Sequence, residues 1–342
     1  MMPPIDRRTM LAATLAAPVV GRAAAAAAPA SLVVLAPPRA NDSYYAEVRA
    51  PLLAFYARAL ATLAGRERVI LAVDDRSRRA LEPQISAEVR IAKPLADMWL
   101  RDFAAVQAAD RLVKFAYRPR YLEGYVAKAI ERSFLAWLDR YAMPMTPVDL
   151  VLDGGNVVAD GAGRAIVTER VLADNPSLDR AGIDRRLRET LALEALAIVP
   201  EEPGDLLGHA DGLAAWVTPG HLALSRFAEP FRSRLLAALE PALPGIDLHE
   251  VPYRPSARTW RGFQDAAGNY ANVLATPRHL YVPTYGLAED ATALALYARL
   301  AARPVIGIET RDVALLGGAL NCISLTLRGA PAARLLEGLD AG

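Results

Sequence analysis

The sequence predicts an α/β protein in which about five related units close a ring in the manner of a propeller, with a shared channel at the centre. Two observations carry this. Strand-like and helix-like segments alternate along the whole chain, and one pattern returns roughly every 50 to 60 residues. A third excludes the main rival. An open doubly wound sheet needs a glycine-rich loop between its first strand and helix, and Pro37-Pro38-Arg39-Ala40-Asn41 is not one.

The first unit starts with a strand over 31–36, stopped by Pro37 and Pro38. Asp42 or Ser43 can cap a helix running to Gly65, bent or delayed by Pro51, and a strand returns over 69–73. Four segments then share one form: 102–115, 156–168, 212–225 and 272–284. Each is an apolar run, a turn of glycine, proline or aspartate, and a second apolar run, as a hairpin requires. The turn at Asp160-Gly161-Ala162-Gly163 resembles a phosphate loop only superficially and fits a hairpin. After each hairpin come a helical segment and another strand: 124–141 with 148–152, 179–193 with 196–199, 230–239 with 246–251, and 287–300 with 304–308. The fifth unit is shared between 31–73 and a final strand starting at Cys322. No serine- and glycine-rich linker divides the chain, so 31–342 reads as a single domain.

Residues 1–30 differ in kind. Arg7-Arg8, a short apolar stretch to Val20, and small residues ending at Pro29-Ala30 resemble a twin-arginine export signal, with a periplasmic or secreted destination after cleavage. The apolar part is too short to span a bilayer, and Pro18 and Arg22 interrupt it, so no stable membrane insertion is expected. The 342 residues are 53% hydrophobic and 23% charged, with a formal net charge of +1. That charge gives no field for nucleic acid or an anionic membrane, so a small or local substrate is expected. One cysteine permits no internal disulfide.

Polar residues fall at corresponding places in the units. Asp102 opens the first hairpin, Asp153 and Asn156 the second, His209 and Asp211 the third, and Asn272 the fourth; Asn321 and Cys322 open the last strand. Rotation about a common axis brings equivalent positions to its centre. His209 and Asp211, two apart in an extended segment, would point together. A thiolate attacks electrophilic carbon, an imidazole moves protons, and paired carboxylates hold a cation. A planar guanidinium offers edges that fit carboxylates two at a time, which points to a guanidine substrate. A metal site of N and O donors from the same residues is the competing reading; a cysteine beside hard oxygen ligands speaks against it, and neither metal nor cofactor is expected. A papain-like hydrolase has cysteine before histidine, opposite to the order here. His221, His249 and His279, without acidic neighbours in motif spacing, read as surface or core residues; Trp99 and Trp216 fit packing and substrate contact equally.

The chain resembles the family of agmatine deiminases and Porphyromonas-type bacterial peptidyl-arginine deiminases. The matching residues are Trp99-Leu100-Arg101-Asp102, Asp153-Gly154-Gly155-Asn156, Thr168-Glu169 with Asn175-Pro176, Gly208-His209-Ala210-Asp211, Tyr270-Ala271-Asn272, and Gly317-Gly318-Ala319-Leu320-Asn321-Cys322-Ile323-Ser324. The resemblance implies a five-bladed α/β propeller, the pentein fold, and hydrolysis of a guanidinium to a ureido group and ammonia. It implies Cys322 as nucleophile, His209 as general acid and base, and Asp102 and Asp211 as guanidinium clamps. Asp153 stands where the family usually has glutamate and would orient the site; Trp99, Asn156 and Asn272 join the substrate-binding set. The chain departs from the family pattern at Phe103-Ala104, where Gly-Pro is usual, at Ala215 with Trp216, where an arginine is often found, and at Asn321, where a histidine is common. Agmatine, converted to N-carbamoylputrescine, is the first substrate expected; an arginyl group in a peptide is the second. An exported guanidine-binding protein without turnover is the non-enzymatic alternative.

Overall fold

A computed structural model describes residues 31–341; the export signal read over residues 1–30 lies outside the described residues. The first unit contains β1 (Ser31–Leu35), α1 (Arg49–Leu63), β2 (Arg68–Ala72), α2 (Asp75–Leu81) and β3 (Arg90–Ala92). The second has α3 (Leu100–Phe103), β4 (Val106–Ala108), β5 (Arg111–Ala116), α4 (Gly124–Arg140) and β6 (Met145–Val151). The third has β7 (Val158–Ala159), β8 (Arg164–Thr168), α5 (Arg170–Asp174), α6 (Arg180–Leu191) and β9 (Ala195–Val199). The fourth has β10 (Ala214–Thr218), β11 (His221–Ser225), α7 (Phe231–Ala242) and β12 (Asp247–Val251), followed by a small hairpin of β13 (Thr259–Trp260) and β14 (Phe263–Gln264). The fifth has β15 (Leu274–Ala275), β16 (Leu280–Thr284), α8 (Glu289–Leu300) and β17 (Val305–Glu309); α9 (Arg311–Ala314), β18 (Ser324–Arg328) and α10 (Gly329–Ala341) complete the chain.

One pairing rule governs every unit. An antiparallel hairpin is followed by a helical crossover to a third strand lying parallel to the second: β4-β5-β6, β7-β8-β9, β10-β11-β12 and β15-β16-β17. In the first sheet β18 supplies the antiparallel partner of β1, pairing Leu32 with Leu327 and Val34 with Leu325, and β2 and β3 follow in parallel. The chain's end thus completes the unit its beginning opened.

Strand alternation explains how the sheets assemble. Successive side chains point to opposite faces, so each middle strand feeds two cores. Leu32 and Val34 of β1 pack with Leu112, Phe134 and Trp137 of the second unit, while Val33 and Leu35 pack with Tyr281 and Ile308 of the fifth. Val113 and Phe115 meet Ala165 and Val167; Ile166 meets Trp216 and Leu222; Ala215 and Val217 meet Leu280 and Val282. Each of these five cores is shared by two consecutive units, and the last returns to the first. Each fully buried aliphatic or aromatic side chain contributes about 1.5–3 kcal/mol to that assembly.

The helices pack on the outer strands for ordinary sequence reasons. In α4 the buried residues Ala127, Ile130, Phe134, Trp137 and Leu138 recur at helical spacing. Asp179 caps α6 by accepting from Gly182 N at 2.7 Å. Helix α1 starts at Arg49, later than the residues at 42–43 suggest, because Pro51 fits only the first turn, where its missing N–H leaves no hydrogen bond unmade. Asp160-Gly161-Ala162-Gly163 joins β7 to β8 as a hairpin turn, with positive φ at both glycines. No helix among the described residues is long and apolar enough to cross a membrane.

Candidate active site

Just before the first strand of each hairpin the chain makes a short turn, and these turns carry the polar residues. Asp102 lies in α3 ahead of β4, Asp153 ahead of β7, His209 and Asp211 ahead of β10, Asn272 ahead of β15, and Asn321-Cys322 ahead of β18. Ring assembly brings five distant turns to one place.

Two contact groups result. In one, His209 lies between acids, its Nε2 3.1 Å from Asp153 Oδ2 and its Nδ1 3.6 Å from Asp102 Oδ1. Tyr121 donates its hydroxyl to the same Asp153 oxygen at 3.3 Å. In the other, Asp211 Oδ2 is 3.6 Å from Cys322 Sγ and accepts from Asn321 Nδ2 at 2.7 Å. Asn272 fixes the cysteine from below: its Nδ2 donates to Sγ at 3.2 Å, and its Oδ1 accepts from the backbone N–H groups of Asn321 at 2.9 Å and Cys322 at 3.3 Å. Arg101 N donates to Cys322 O at 3.0 Å, so α3 and the cysteine turn are locked together.

His209 and Asp211 do not point together as an extended segment would have them. A 3-10 turn over Ala210–Gly212 turns Asp211 towards Cys322 and leaves His209 facing Asp102 and Asp153. Both still line one small cavity of about 70 Å³ with Cys322 and Asn272. Cys322 also borders a larger cavity of about 730 Å³, with Trp99, Asp102, Tyr121 and Trp260 among its walls. Asn156 borders neither. Its Oδ1 accepts from Thr168 N at 2.8 Å, and Thr168 Oγ1 donates to Gly208 O at 2.5 Å, bracing the segment that enters His209. Trp216 is likewise turned away, donating to Val158 O at 3.2 Å beneath the Arg164 guanidinium.

Two glycines are required by close approach. A Cβ at Gly155 would lie 2.6 Å from His209 Nδ1 and 2.7 Å from Asp102 Oδ1. One at Gly318 would lie 2.4 Å from Trp99 Cζ3 and 3.1 Å from Cys322 Sγ. The first lets the imidazole and carboxylate approach each other; the second keeps the space over the sulfur open. Gly318 belongs to the motif around Cys322, but its tertiary neighbours leave no linear signal. The same holds for Tyr121, Asp97 and the β13–β14 hairpin that brings Trp260 and Phe263 to the cavity.

Burial and crowded charge set the protonation. Burial alone would lower the His209 pKa, but Asp102, Asp153 and Asp211 outweigh it and push it up to about 10. Asp102 is pushed up to about 8, chiefly by burial, with Asp153 and Asp211 adding and His209 opposing. Burial likewise raises Asp211. The Cys322 thiol is held well above its ordinary range by burial, then by Asp211 and Asp102. Asp102 Oδ1 and His209 Nδ1, both buried, have no hydrogen-bond partner among the described residues, which leaves their polar capacity aimed at each other's side of the site.

A thiol that borders both cavities, with an imidazolium and a carboxylate in the smaller and a second carboxylate in the larger, suits a planar cation that can be attacked at carbon. Residues 22–327 match the family model for Porphyromonas-type peptidyl-arginine deiminase. The chain belongs to that family. It is 29% identical to agmatine deiminase of Pseudomonas aeruginosa over 52% of this chain and 56% of that protein, so this alignment spans about half the length of the relative. A Vibrio parahaemolyticus relative is 26% identical over 86% of this chain and 93% of its own. Among solved structures, Campylobacter jejuni agmatine deiminase superposes with a TM-score of 0.76 at 20% identity, covering 87% of this chain and 93% of that one, which shows the shared fold.

Proposed function

We propose that this chain is a guanidine deiminase and that agmatine, converted to N-carbamoylputrescine and ammonia, is its substrate. The observation that carries the proposal is the placing of Cys322 against Asp211 at the border of two cavities, one shared with His209 and the other with Asp102. The name of the Pseudomonas relative supports the same substrate. So does the larger cavity, whose walls carry Asp42, Asp97 and Glu123, while its one arginine, Arg261, is engaged by Glu47 at 3.1 Å and by the rings of Tyr44 and Trp260. A compact dication suits such a lining better than an arginine bearing a carboxylate.

The chemistry follows from charge. Before substrate arrives the thiol is neutral, and Asp102 is partly so. A guanidinium lying between Asp102 and Asp211 supplies the positive charge that offsets both, so its binding drives ionisation of carboxyl and thiol. The thiolate adds to the central carbon from above the plane, forming a C–S bond and a tetrahedral adduct. His209, protonated, gives its proton to one amino group; the C–N bond breaks and ammonia leaves, with a thiouronium on Cys322. His209, now neutral, takes a proton from water, whose oxygen attacks the same carbon; the C–S bond breaks, the remaining hydroxyl proton passes to the departing sulfur, and the neutral ureido product leaves with the thiol restored. Asp153, with Tyr121, holds the imidazole in position through the reaction.

Release of ammonia and of a ureido product should be measured with agmatine, free arginine and peptides ending in arginine, for wild type and Cys322→Ala. Turnover of agmatine by wild type alone is the expected result. Turnover restricted to peptides would assign the arginyl group as substrate, and binding without ammonia release in wild type would sink the enzymatic reading in favour of a guanidine-binding protein. Arg7-Arg8 supports export as a further part of the proposal; replacing both arginines by lysine should leave the protein in the cytoplasmic fraction.

A further inference from the structure

His221 opens β11 and His249 lies in the neighbouring strand β12. The strands run parallel, with His221 paired to Asp247 and Ala223 to His249. Asp247 and His249 are two apart on one strand and so share a face, the face that His221 also presents. The acidic neighbour that His221 lacks on its own strand is supplied by strand register. His221 Nδ1 lies 3.0 Å from His249 Nε2 and 3.5 Å from Asp247 Oδ2, and the three donor atoms all fall within 4.8 Å of one another.

We propose that this triad binds a divalent metal ion of the zinc type, at a site separate from the active site. Three donors at about 2.0–2.2 Å from a tetrahedral ion stand roughly 3.4 Å from each other, and the two shorter separations here bracket that value. Two imidazoles with one carboxylate suit zinc, copper or nickel in preference to magnesium or calcium. A single ion between the two strands uses all three groups at once. Ions have a path in, since the side chains of Asp247 and His221 are 73% and 36% exposed, and water can fill the fourth position. Neither histidine lines the cavities that Cys322 borders. Because β12 is the outer strand of its sheet, the ion would tie an edge strand to its neighbour and stabilise the folded chain by mass action.

The test is titration of the chelator-stripped full chain with zinc by calorimetry, and with cobalt by visible absorption. The expected result is one site per chain, a tetrahedral cobalt spectrum without a thiolate charge-transfer band, and a melting temperature that rises with zinc. His249→Ala and His221→Gln should each weaken binding at least about tenfold, the scale on which even outer-sphere partners of a metal act, while agmatine turnover is unchanged. Cys322→Ala should bind zinc as wild type does. No saturable binding by wild type, binding unaltered in both folded histidine variants, or binding lost in Cys322→Ala would overturn the assignment.

Discussion

Replacing Gly318 by alanine should disable the site without unfolding the protein. Gly318 does not occupy the left-handed region, so alanine there meets no backbone penalty and the effect is steric. Its Cβ would sit 2.4 Å from Trp99 Cζ3, about 1 Å inside the 3.4 Å at which ordinary contact begins, and 3.0 Å and 3.1 Å from Cys322 Cβ and Sγ. Trp99 directly precedes α3, which carries Asp102, and the Cys322 turn is tied to Asn272 by three hydrogen bonds. Relief therefore displaces either the indole or Cys322. A displacement of about 1 Å at a reacting centre costs on the order of 100-fold in rate, equivalent to about 2.7 kcal/mol of transition-state stabilisation. Steady-state ammonia release from agmatine gives kcat/KM, alkylation of Cys322 by iodoacetamide reports access to the sulfur, and thermal denaturation checks the fold. A near-native melting temperature with a rate loss near 100-fold and slowed alkylation is expected. Activity within threefold of wild type in the folded variant would refute the idea that open space over the sulfur limits the reaction.

The pH profile of kcat/KM should peak on the alkaline side: Asp102, raised to about 8, must be charged to hold the cation, and His209, raised to about 10, must keep its proton for the leaving ammonia. The limbs belong to the coupled group as a whole, and an optimum near pH 6 would contradict this charge arrangement. Asp153→Asn should lower the His209 pKa by removing both a charge and a charge-assisted hydrogen bond, so the alkaline limb moves to lower pH; a limb that stays put in a titrated profile would place the controlling acid elsewhere. Away from the site, Lys114 is buried and its Nζ lies 2.8 Å from Glu131 Oε1, which also accepts from Tyr117 N at 2.9 Å. Glu131→Gln leaves that ammonium without its counter-charge and should cost about 3 kcal/mol in urea denaturation, the low end for a broken buried pair because Glu131 is 22% exposed.

What the sequence determined by itself was the repeating unit and the place of its polar residues. Hairpin, helix and strand are set by local patterns of apolar residues, and alternation along β1, β8, β10 and β16 already assigns every second side chain to one of two cores. Given the repeat, Asp102, Asp153, His209, Asp211, Asn272 and Cys322 occupy equivalent turns, and ring assembly needs nothing further to bring them together. The tertiary structure decided what depends on the path of the backbone through those turns and on contacts across the ring. The 3-10 turn at Ala210–Gly212 separates His209 from Asp211, Asn156 braces Thr168 instead of reaching the cavity, and Gly318 is fixed by a tryptophan more than two hundred positions away. His221 gains Asp247 and His249 only through the register of two parallel strands joined by a helix. A linear pattern can say which face a residue occupies, because that is a property of local periodicity; it cannot say which atoms of another segment will stand opposite, because that is settled only when the whole ring packs.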